Sequence, residues 1–468
     1  MTDTPSTDQQ TALQSWIDDQ LSRYTLFDSL RYRRSRRFGW GMRIEHGPLA
    51  YQSQKPAEAL TEFEEAALAF AACGITGYAL ADLSYGAGQG GSMLGGLVGR
   101  TVSSADALSA VAVFVINDEA TYFLKRPQDL DAREIAALID LVEEEHAAQK
   151  LVEIYKRLRV KVRDGRAEAP VIPGDNFNIN KWALYAKGGT YFLPVNEITP
   201  LVINALVEMF SPEMGLFVID ERNFYQPAGI GKFAMSRGGF LNDAMNGGKV
   251  ATVQGLEMSL AEAASVEQGM ILQNISLMAQ SLGLGGYANF ARSEFAWFPP
   301  LGFRLQTMAG SKYAGAARFM TFFLKLLRRD IEVQFPVGLE KDGQTLLHAY
   351  APPYYPNMTA AVEAWVARKF GKDGIYRGGI GVSDWKDPSN IASKIPVPDH
   401  RAVEAASAYT EYIYRHYGRF PAYSAPFRTV IGYQATRVDV DFYDTFYRHD
   451  ALSDTQRNYP LNLKAPKA

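Results

Sequence analysis

The chain has 468 residues, of which 47% are hydrophobic and 21% are charged, and its formal net charge at pH 7 is -3. These values are typical of a folded, soluble protein with a large apolar core. The near-neutral charge argues against nucleic acid or an anionic membrane as the main partner. The length predicts two or three domains, or one domain with large insertions.

The cysteine content and the N-terminus bear on the compartment. Cys73 is the single cysteine in the sequence, so no disulfide framework can form within the chain, which favours a reducing compartment. The N-terminal MTDTPSTDQQ lacks the positive region and apolar core of a secretion signal. The most apolar runs are too short to span a bilayer. We therefore expect a cytoplasmic protein.

Capping boxes predict two helices in the first part of the chain. Thr61 is followed three residues later by Glu64, and the apolar spacing that follows predicts a helix that ends near Gly74. Asp131 and Glu134 have the same spacing and predict a second helix with one apolar stripe.

Strands are predicted where apolar and β-branched residues cluster. VAVFVI (111–116) and TYFLKR (121–126) flank the turn residues Asn-Asp and predict a β-hairpin. TYFLPV (190–195) and GLFVID (215–220) also read as strands, with a helix-like TPLVINALVEMF (199–210) between them.

A long helix is predicted in the second half, starting at a third capping box of Ser259 and Glu262 and ending at Gly283. Its apolar residues cover nearly the whole circumference, which predicts burial on most sides; they are Met270, Ile271, Leu272, Ile275, Leu277 and Met278. The later predictions are a hairpin around Asp342-Gly343, a helix near 402–417 and an alternating strand at 429–440.

The sequence GAGQGG at 86–91 is a literal G-x-G-x-x-G. A dinucleotide-binding turn needs a strand before the glycines and a helix that opens from them. Gly95, Gly96 and Gly99 follow closely and disfavour a helix, since each costs about 1 kcal/mol in a helix interior. We therefore interpret the stretch around GAGQGG as a flexible loop, called below the glycine-rich loop.

The sequence contains no conventional catalytic arrangement of side chains. It has no His-Glu-x-x-His and no Gly-x-Ser-x-Gly motif, and its six histidines show no metal-binding spacing. Cys73 ends an apolar helix and is expected to be a buried, inert thiol. The acidic residues near the C-terminus are expected to form a solvated surface; they are Asp439, Asp441, Asp444 and Asp450. No metal site and no catalytic side chain are predicted.

Four segments, taken in order, resemble the nitroreductase-like flavoprotein superfamily. RRSRRF (33–38) is similar to its R-R-S-x-R-x-F segment, and AACGITG (71–77) resembles the end of its A-A-x-G-I-T-G helix. RTVSSADAL (100–108) is similar to the R-x-x-P-S-A-G-A-L segment of the azoline-dehydrogenase-type branch. EQGMILQNISLMAQSLGLGG (267–286) resembles the helix E-x-G-x-x-x-Q-N-L-x-L-x-A-x-x-L-G-L-G and is the most specific of the four.

The resemblance implies an α+β nitroreductase-like fold with a central, mostly antiparallel sheet surrounded by helices, and FMN bound at a homodimer interface. The implied activity is ping-pong hydride transfer between NAD(P)H and an organic substrate. The implied cofactor-binding residues fall in three groups: Arg33, Arg34, Ser35 and Arg37; Ser103, Ser104 and Ala105; Gly285 and Gly286. The resemblance also implies that residues 103–105 line the flavin and that the glycines allow close approach to its ring. Guanidinium groups suit the flavin phosphate because they donate bidentate hydrogen bonds to a dianion.

The chain departs from the family pattern in two places. Ser103 replaces the proline, and Asp106 replaces the glycine that follows, which puts a charge near the expected edge of the isoalloxazine ring. A C-terminal basic pair for the phosphate is not evident; Arg377 and Lys394 are candidates by position.

The resemblance also implies a division of the chain. Residues 1–20 are expected to be a disordered N-terminal arm, and 21–164 and 251–400 the two parts of the nitroreductase-like core. Residues 165–250 are expected to be an inserted subdomain, and 401–468 a C-terminal helix and extension. The glycine-rich loop is then expected to be a mobile segment beside the flavin, able to order over substrate.

Two alternatives to the NAD(P)H-dependent enzyme stay open. One is a flavin-dependent dehydrogenase or dehalogenase that acts on a larger substrate. The other is a flavin-binding or cofactorless scaffold that acts through protein contacts. A deazaflavin in place of FMN also fits the pattern.

Overall fold

The computed structural model describes residues 7–144, 147–169, 182–183, 186–291, 294–316, 318–378 and 383–462. The strands are, in chain order, β1 (Arg43–Ile44), β2 (Tyr51–Gln52), β3 (Ile75–Tyr78), β4 (Val98–Arg100), β5 (Val111–Ile116), β6 (Ala120–Leu124), β7 (Arg159–Asp164), β8 (Thr190–Glu197), β9 (Phe217–Asp220), β10 (Gln226–Pro227), β11 (Val250–Thr252), β12 (Gly285–Phe290), β13 (Phe303–Ala309), β14 (Glu332–Lys341), β15 (Gln344–His348), β16 (Phe427–Arg428) and β17 (Ile431–Thr436).

The α-helices are, in chain order, α1 (Thr7–Arg23), α2 (Leu26–Tyr32), α3 (Glu62–Cys73), α4 (Ala132–Glu143), α5 (Leu151–Leu158), α6 (Thr199–Met209), α7 (Val253–Ser281), α8 (Glu294–Trp297), α9 (Gly310–Tyr313), α10 (Arg318–Leu326), α11 (Met358–Phe370), α12 (Pro388–Lys394), α13 (His400–Tyr417), α14 (Val440–Phe446) and α15 (Asp454–Arg457).

A seven-stranded sheet organises the chain, in the order β12-β17-β8-β5-β6-β7, with β16 also paired to β8. Every pairing in this sheet is antiparallel. Two three-stranded sheets, β10-β9-β11 and β13-β14-β15, lie outside it. The prediction of an α+β protein with a mostly antiparallel central sheet is therefore confirmed, and its nitroreductase-like identity stays a prediction.

The central sheet is covered on both faces, which explains why β5 is apolar at every position. Val111, Val113 and Val115 belong to a buried cluster with residues of α3 and α7. The alternate residues Ala112 and Phe114 belong to a second cluster with residues of α6, α11 and α13. A strand with a core on each side cannot alternate apolar and polar residues, so it becomes a continuous apolar run.

The helices predicted from capping boxes and the predicted hairpins are present. Thr61 caps α3 and exchanges hydrogen bonds with Glu64, and Asp131 caps α4 in the same way with Glu134. Strands β5 and β6 form the predicted hairpin, and Asp342 joins β14 to β15 in a tight turn with a positive φ. Strands β8 and β9 and helices α6 and α13 occur where the sequence predicts them.

The predicted start of the long helix is wrong. Helix α7 begins at Val253, because Thr252 is its N-cap and accepts a hydrogen bond from the N–H of Gly255. Ser259 lies inside the helix, where its hydroxyl donates to the carbonyl of Leu256. The prediction that α7 is buried on most sides is also too broad, since Met270 is 41% exposed.

Two ends of the chain differ from the sequence predictions for clear local reasons. The predicted disordered arm contains α1, because Leu13 and Ile17 lie one turn apart and are both buried in the cluster beneath α3. The predicted strand at 429–440 ends at Thr436, because Asp439 caps α14 and accepts the N–H of Phe442 at 3.0 Å.

The same capping role buries one of the acidic residues that were expected to be solvated. Asp439 is 1% exposed and also accepts a hydrogen bond from the hydroxyl of Ser53 at 2.5 Å. The expectation of a solvated surface is therefore wrong for Asp439, whereas Asp441, Asp444 and Asp450 are exposed. Cys73 is buried as predicted, and burial raises the pKa of its thiol.

The predicted inserted subdomain contributes to the central sheet. Strand β8 belongs to residues 165–250 and pairs with β5 on one side and β17 on the other. Strands β9, β10 and β11 form a separate small sheet within or at the end of the same stretch. The chain division itself stays a prediction.

Candidate functional site

The arginine segment, residues 33–37, lies along the outer edge of the central sheet. It follows α2 and runs beside β12, where Arg36 and Gly286 form an isolated antiparallel bridge. The backbone N–H of Gly286 donates to the carbonyl oxygen of Arg36 at 2.9 Å. Two segments that are 250 positions apart in the sequence, and that carry two of the three predicted residue groups, are therefore in direct contact.

Arg36 anchors this segment. Its side chain is 3% exposed. Its Nη1 donates to Oε1 of Gln280 at 2.8 Å, and its Nε donates to the carbonyl of Ala451 at 2.9 Å. Burial lowers its pKa to about 10, which leaves the guanidinium charged at neutral pH. Arg36 has no role among the predictions from the sequence, because nothing in the polar run RRSRR distinguishes it from its neighbours.

The four residues predicted to bind the cofactor in this segment are all exposed: Arg33, Arg34, Ser35 and Arg37. No carboxylate of the described residues lies within ion-pair distance of Arg33 or Arg34. Three of the four guanidinium groups within these five residues are exposed and thus give a local excess of positive charge at the surface. Such a set suits a dianionic group, because each guanidinium can donate two parallel hydrogen bonds.

Aromatic rings hold Arg37 in place. Its guanidinium carbon lies 5.8 Å from the ring centre of Trp182 and 5.6 Å from that of Tyr287, both within the range of a cation–π contact. Tyr287 is 6% exposed, and its hydroxyl has no hydrogen-bond partner among the described residues. Burial raises the pKa of Tyr287 to about 12.

The glycine pair, Gly285 and Gly286, is required by packing within the chain. A Cβ on Gly285 would lie 2.6 Å from the carbonyl oxygen of Arg36. A Cβ on Gly286 would lie 2.5 Å from the hydroxyl of Tyr433 and 2.6 Å from the carbonyl oxygen of Gln434. The family resemblance implies that these glycines allow approach of a flavin ring; in the structure, their close neighbours are the arginine segment and β17.

The serine segment, residues 103–105, contacts α7 at a different position along the helix axis from the arginine segment. The Ser104 hydroxyl donates to Oε2 of Glu267 at 2.7 Å and accepts the N–H of Ser109 at 2.8 Å. Glu267 also pairs with Arg100 at 3.7 Å, and both side chains of that pair are at most 3% exposed. The Ser104 hydroxyl is thus used in a buried network, whereas Ser103 is exposed.

Within one chain, the serine segment and the arginine segment contact different parts of α7. Ser104 contacts α7 at Glu267 and Arg36 contacts it at Gln280. These contact points are 13 residues apart on one helix, which corresponds to roughly 20 Å along its axis at a rise of about 1.5 Å per residue.

An exposed apolar face of α7 lies around and before the level of Glu267. Its apolar members include Met258, Val266 and Met270, which are 47%, 55% and 41% exposed. Helix α2 packs on α7 and exposes Leu26, Phe27 and Leu30. We call these six residues the α2–α7 surface. Exposed apolar surface of this extent is typical of a protein–protein interface.

The glycine-rich loop is held against α6 and α11 by polar groups. The N–H of Gly90 donates to Oε1 of Glu208 at 3.2 Å, and the Ser92 hydroxyl also contacts Glu208. Lys369, which is 4% exposed, donates to the carbonyl of Ser92 and to Oδ1 of Asn204. No regular α-helix follows the glycines, so the loop does not have the geometry of a dinucleotide-binding turn.

Asp106 belongs to the same network. Its Oδ2 accepts a hydrogen bond from the amide nitrogen of Asn204 at 3.1 Å. Burial raises the pKa of Asp106, and both Asn204 and the nearby Lys369 ammonium oppose that change. The carboxylate expected near the flavin ring therefore has partners within its own chain.

The two basic residues considered for the phosphate lie beside the glycine-rich loop. Arg377 donates to the carbonyls of Tyr376 and Ala392, and Lys394 ends α12 on the same surface. Tyr376 in turn donates to the carbonyl of Leu94 in the loop. The structure shows no contact between either basic residue and the arginine segment in the part of the chain that it describes.

Among the described residues, no group of three His, Cys, Asp or Glu side chains is placed to hold a metal ion. None of the described helices combines the length and the apolar character needed to cross a membrane. No protein-family model matches the chain, and no curated protein matches it significantly.

Proposed function

We propose that the protein is a nitroreductase-like, FMN-dependent oxidoreductase that transfers hydride between NAD(P)H and an organic substrate. The observation that supports this proposal best is the contact between the arginine segment and the glycine pair. These two segments resemble separate parts of one family's cofactor site, and they meet through the Arg36–Gly286 bridge. If the two resemblances were coincidental, there would be no reason for these distant segments to be in contact.

The donor set of the arginine segment fits the phosphate of FMN. Arg33, Arg34 and Arg37 supply charge and paired N–H donors, and Ser35 supplies a hydroxyl. Arg36 fixes the backbone between them through its buried contacts with Gln280 and Ala451. The segment is thus positioned before a ligand binds, which reduces the entropic cost of binding.

The proposed site is completed by a second copy of the chain. In its own chain the serine segment contacts α7 roughly 20 Å along the helix from the arginine segment, and we infer that it reaches the cofactor from a partner subunit. The α2–α7 surface supplies exposed apolar side chains for such a contact. Residues 103–105 of the partner subunit would then lie against the flavin bound to the arginine segment.

When bound, FMN would supply reversible hydride acceptance, and the protein would supply position and electrostatics. The arginine segment would hold the phosphate, and the Arg37 guanidinium would stay near the Tyr287 and Trp182 rings. Because the Ser104 hydroxyl is bound to Glu267, the serine segment would contact the cofactor through Ser103 and backbone N–H groups. No catalytic side chain is assigned.

Anaerobic reduction tests the activity. Protein loaded with FMN is mixed with NADH or NADPH, and the visible flavin absorption is followed. We expect bleaching by at least one nicotinamide and recovery of colour when a quinone or nitroaromatic acceptor is added. Retention of flavin without bleaching by either nicotinamide would contradict the proposed electron donor.

A second candidate function is a scaffold that acts through protein contacts without a cofactor. It is favoured by the internal use of groups that the resemblance assigns to flavin, namely the Ser104 hydroxyl and the glycine pair. Arg33→Ala distinguishes the candidates, because only a flavoprotein loses cofactor affinity with this change. A scaffold would show no FMN affinity in either form.

A further inference from the structure

A cavity of about 680 Å³ lies on the side of the central sheet that α6 and α11 cover. It is bounded by the loop after β6, the start of α4, the end of β15 and α11. Its central lining residues are Arg126, Glu197, His348, Tyr350, Trp365 and Arg368. No residue of the arginine segment, the serine segment or the glycine pair lines it, so it is separate from the proposed flavin site. Its volume lies within the range of small-molecule sites.

Arginine side chains give the cavity its positive groups. Arg126 is 6% exposed and binds Asp129 through Nε and Nη2 at 3.0 and 3.1 Å. Its Nη1 is buried and has no hydrogen-bond partner among the described residues. Arg368 makes one contact at the limit of hydrogen-bond distance, 3.4 Å from Nη2 to the carbonyl of Gln128. An unsatisfied, buried guanidinium N–H is costly and indicates that a ligand group or solvent accepts from it.

Carboxylates in the lining offset part of this charge, because Asp129 forms an ion pair with Arg126; among the described residues no carboxylate pairs with Arg368. Asp129 is bound to Arg126, and Asp131 caps α4 by accepting two backbone N–H groups. Glu197 is 1% exposed and accepts the N–H of Thr199 at 3.0 Å; burial raises its pKa to about 7. Lys125, also in the lining, is 3.5 Å from Glu134. Asp373 is exposed.

Aromatic rings supply the uncharged part of the cavity lining. The Tyr350 ring lies 5.5 Å from the ring of His348 and 5.3 Å from that of Tyr355, with angles of 24° and 22° between the planes. Trp365 meets Tyr350 edge-on at 5.5 Å. Burial lowers the pKa of His348 to about 4, so this imidazole is neutral at pH 7. The wall is therefore flat, aromatic and uncharged.

We propose that this cavity binds a small aromatic carboxylate, with its carboxylate on Arg126 and Arg368 and its ring against Tyr350 and His348. Guanidinium pairs bind carboxylates because their N–H groups match both oxygens. Stacked rings accept a further ring at low cost in conformational entropy. The two features lie within one cavity, which selects for a molecule that carries both.

Isothermal titration calorimetry with benzoate tests this site, since benzoate is the smallest probe with both features. Benzamide is the neutral control of the same shape, and inorganic phosphate is an anion without a ring. We expect benzoate to bind at least about tenfold more tightly than either control, which is the ratio expected from one lost charge-assisted hydrogen bond. Equal binding of benzoate and benzamide, or no binding of benzoate, would overturn the proposal. Phosphate as tight as benzoate would overturn the aromatic specificity.

A variant and its matched control locate the binding. Arg368→Gln should weaken benzoate binding about tenfold or more, because it removes the charge while leaving the buried Arg126–Asp129 pair intact. Arg401→Gln alters an exposed arginine that pairs with Asp399 outside the cavity, and should leave the affinity unchanged. Unchanged binding by the Arg368 variant would overturn the assignment. Both titrations are independent of FMN, so their failure is distinguishable from failure of the flavin proposal.

Discussion

The backbone N–H of Gly286 lies 2.9 Å from the carbonyl oxygen of Arg36 and donates a hydrogen bond to it. This bond attaches the arginine segment to the edge of the central sheet. The Arg36 side chain then binds Gln280, which fixes the segment against the end of α7 as well. The exposed arginines on either side of Arg36 are consequently presented from a rigid element, which is the condition for selective binding of a phosphate.

We predict that Arg33→Ala and Arg37→Ala each weaken FMN binding about tenfold or more. Each change removes charge-assisted hydrogen bonds to the phosphate, which contribute roughly 1.5–3 kcal/mol. The measurement is quenching of flavin fluorescence on titration with protein. Arg43→Ala is the matched control, since Arg43 is exposed in β1 and outside the segment. Wild-type affinity in the Arg33 variant would contradict the assignment.

We predict that Met270→Lys converts the proposed dimer to a monomer. Met270 belongs to the α2–α7 surface, and a lysine there would place a desolvated charge in the proposed interface. The measurement is molar mass by light scattering after size exclusion, with FMN binding measured on the same sample.

The control for the dimer prediction is Phe322→Lys on α10. Phe322 is 65% exposed and belongs to a separate apolar helix, so the change should leave the dimer intact. Dissociation by the Phe322 variant but not by the Met270 variant would assign the interface to α10 instead.

We predict that Glu267→Ala lowers the free energy of unfolding by about 3–5 kcal/mol, because it leaves the buried Arg100 guanidinium without its carboxylate. Replacing both partners, with Arg100→Met and Glu267→Leu, should recover most of that loss. Ser104→Ala should cost about 1–3 kcal/mol, as expected for a buried hydrogen-bonded hydroxyl. Urea denaturation checks all three. A double variant as unstable as the Ala variant would show that packing, rather than charge, dominates.

We predict that docking of the glycine-rich loop strengthens as pH rises above 7. Burial lowers the pKa of Lys369 in the docked state to about 7, from an ordinary value of 10.5, while Asp106 and Glu208 oppose that change. An opened loop would expose Lys369 and let it bind a proton more readily. The open state therefore holds more protons between pH 7 and about 10.5, and the docked state gains stability as pH rises through that window.

Limited proteolysis of the loop at pH 6.5 and pH 9 measures this dependence, with rates normalised to cleavage of a free peptide. The wild-type loop should be cleaved more slowly at pH 9. Lys369→Met removes the titrating group and should cleave at one normalised rate at both pH values. An identical pH ratio in the variant and the wild type would contradict the role of Lys369.

Local elements were predictable from the sequence because local interactions determine them. The capping boxes at Thr61 and Asp131 define the first turns of α3 and α4 with side chains three residues apart. The β5–β6 hairpin follows from a short turn between two apolar runs. Prediction failed where another residue formed the helix cap. Thr252, and not Ser259, is the N-cap of α7, and Asp439 is the N-cap of α14 inside the predicted strand.

Pairings between distant segments were not predictable in the same way. No feature of the sequence indicates directly that β8 lies between β5 and β17, because the pattern of a strand reports its burial and not its neighbours. Apart from the glycine itself, no residue near Arg36 or Gly286 in the sequence indicates that these two residues are in contact. The aromatic carboxylate cavity combines Arg126 from the β6 end with His348 from β15, more than 200 positions later, so only the folded chain reveals it.

The retention of FMN after desalting tests the central claim most directly. Purified protein is incubated with excess FMN and passed through a desalting column, and its visible absorption spectrum is recorded beside that of the Arg33→Ala, Arg37→Ala double variant and the Arg43→Ala control. We predict stoichiometric flavin absorption in the wild type and the control, and its loss in the double variant. A wild-type protein that emerges colourless, or a double variant that retains flavin as the wild type does, would contradict the assignment of the arginine segment as an FMN site.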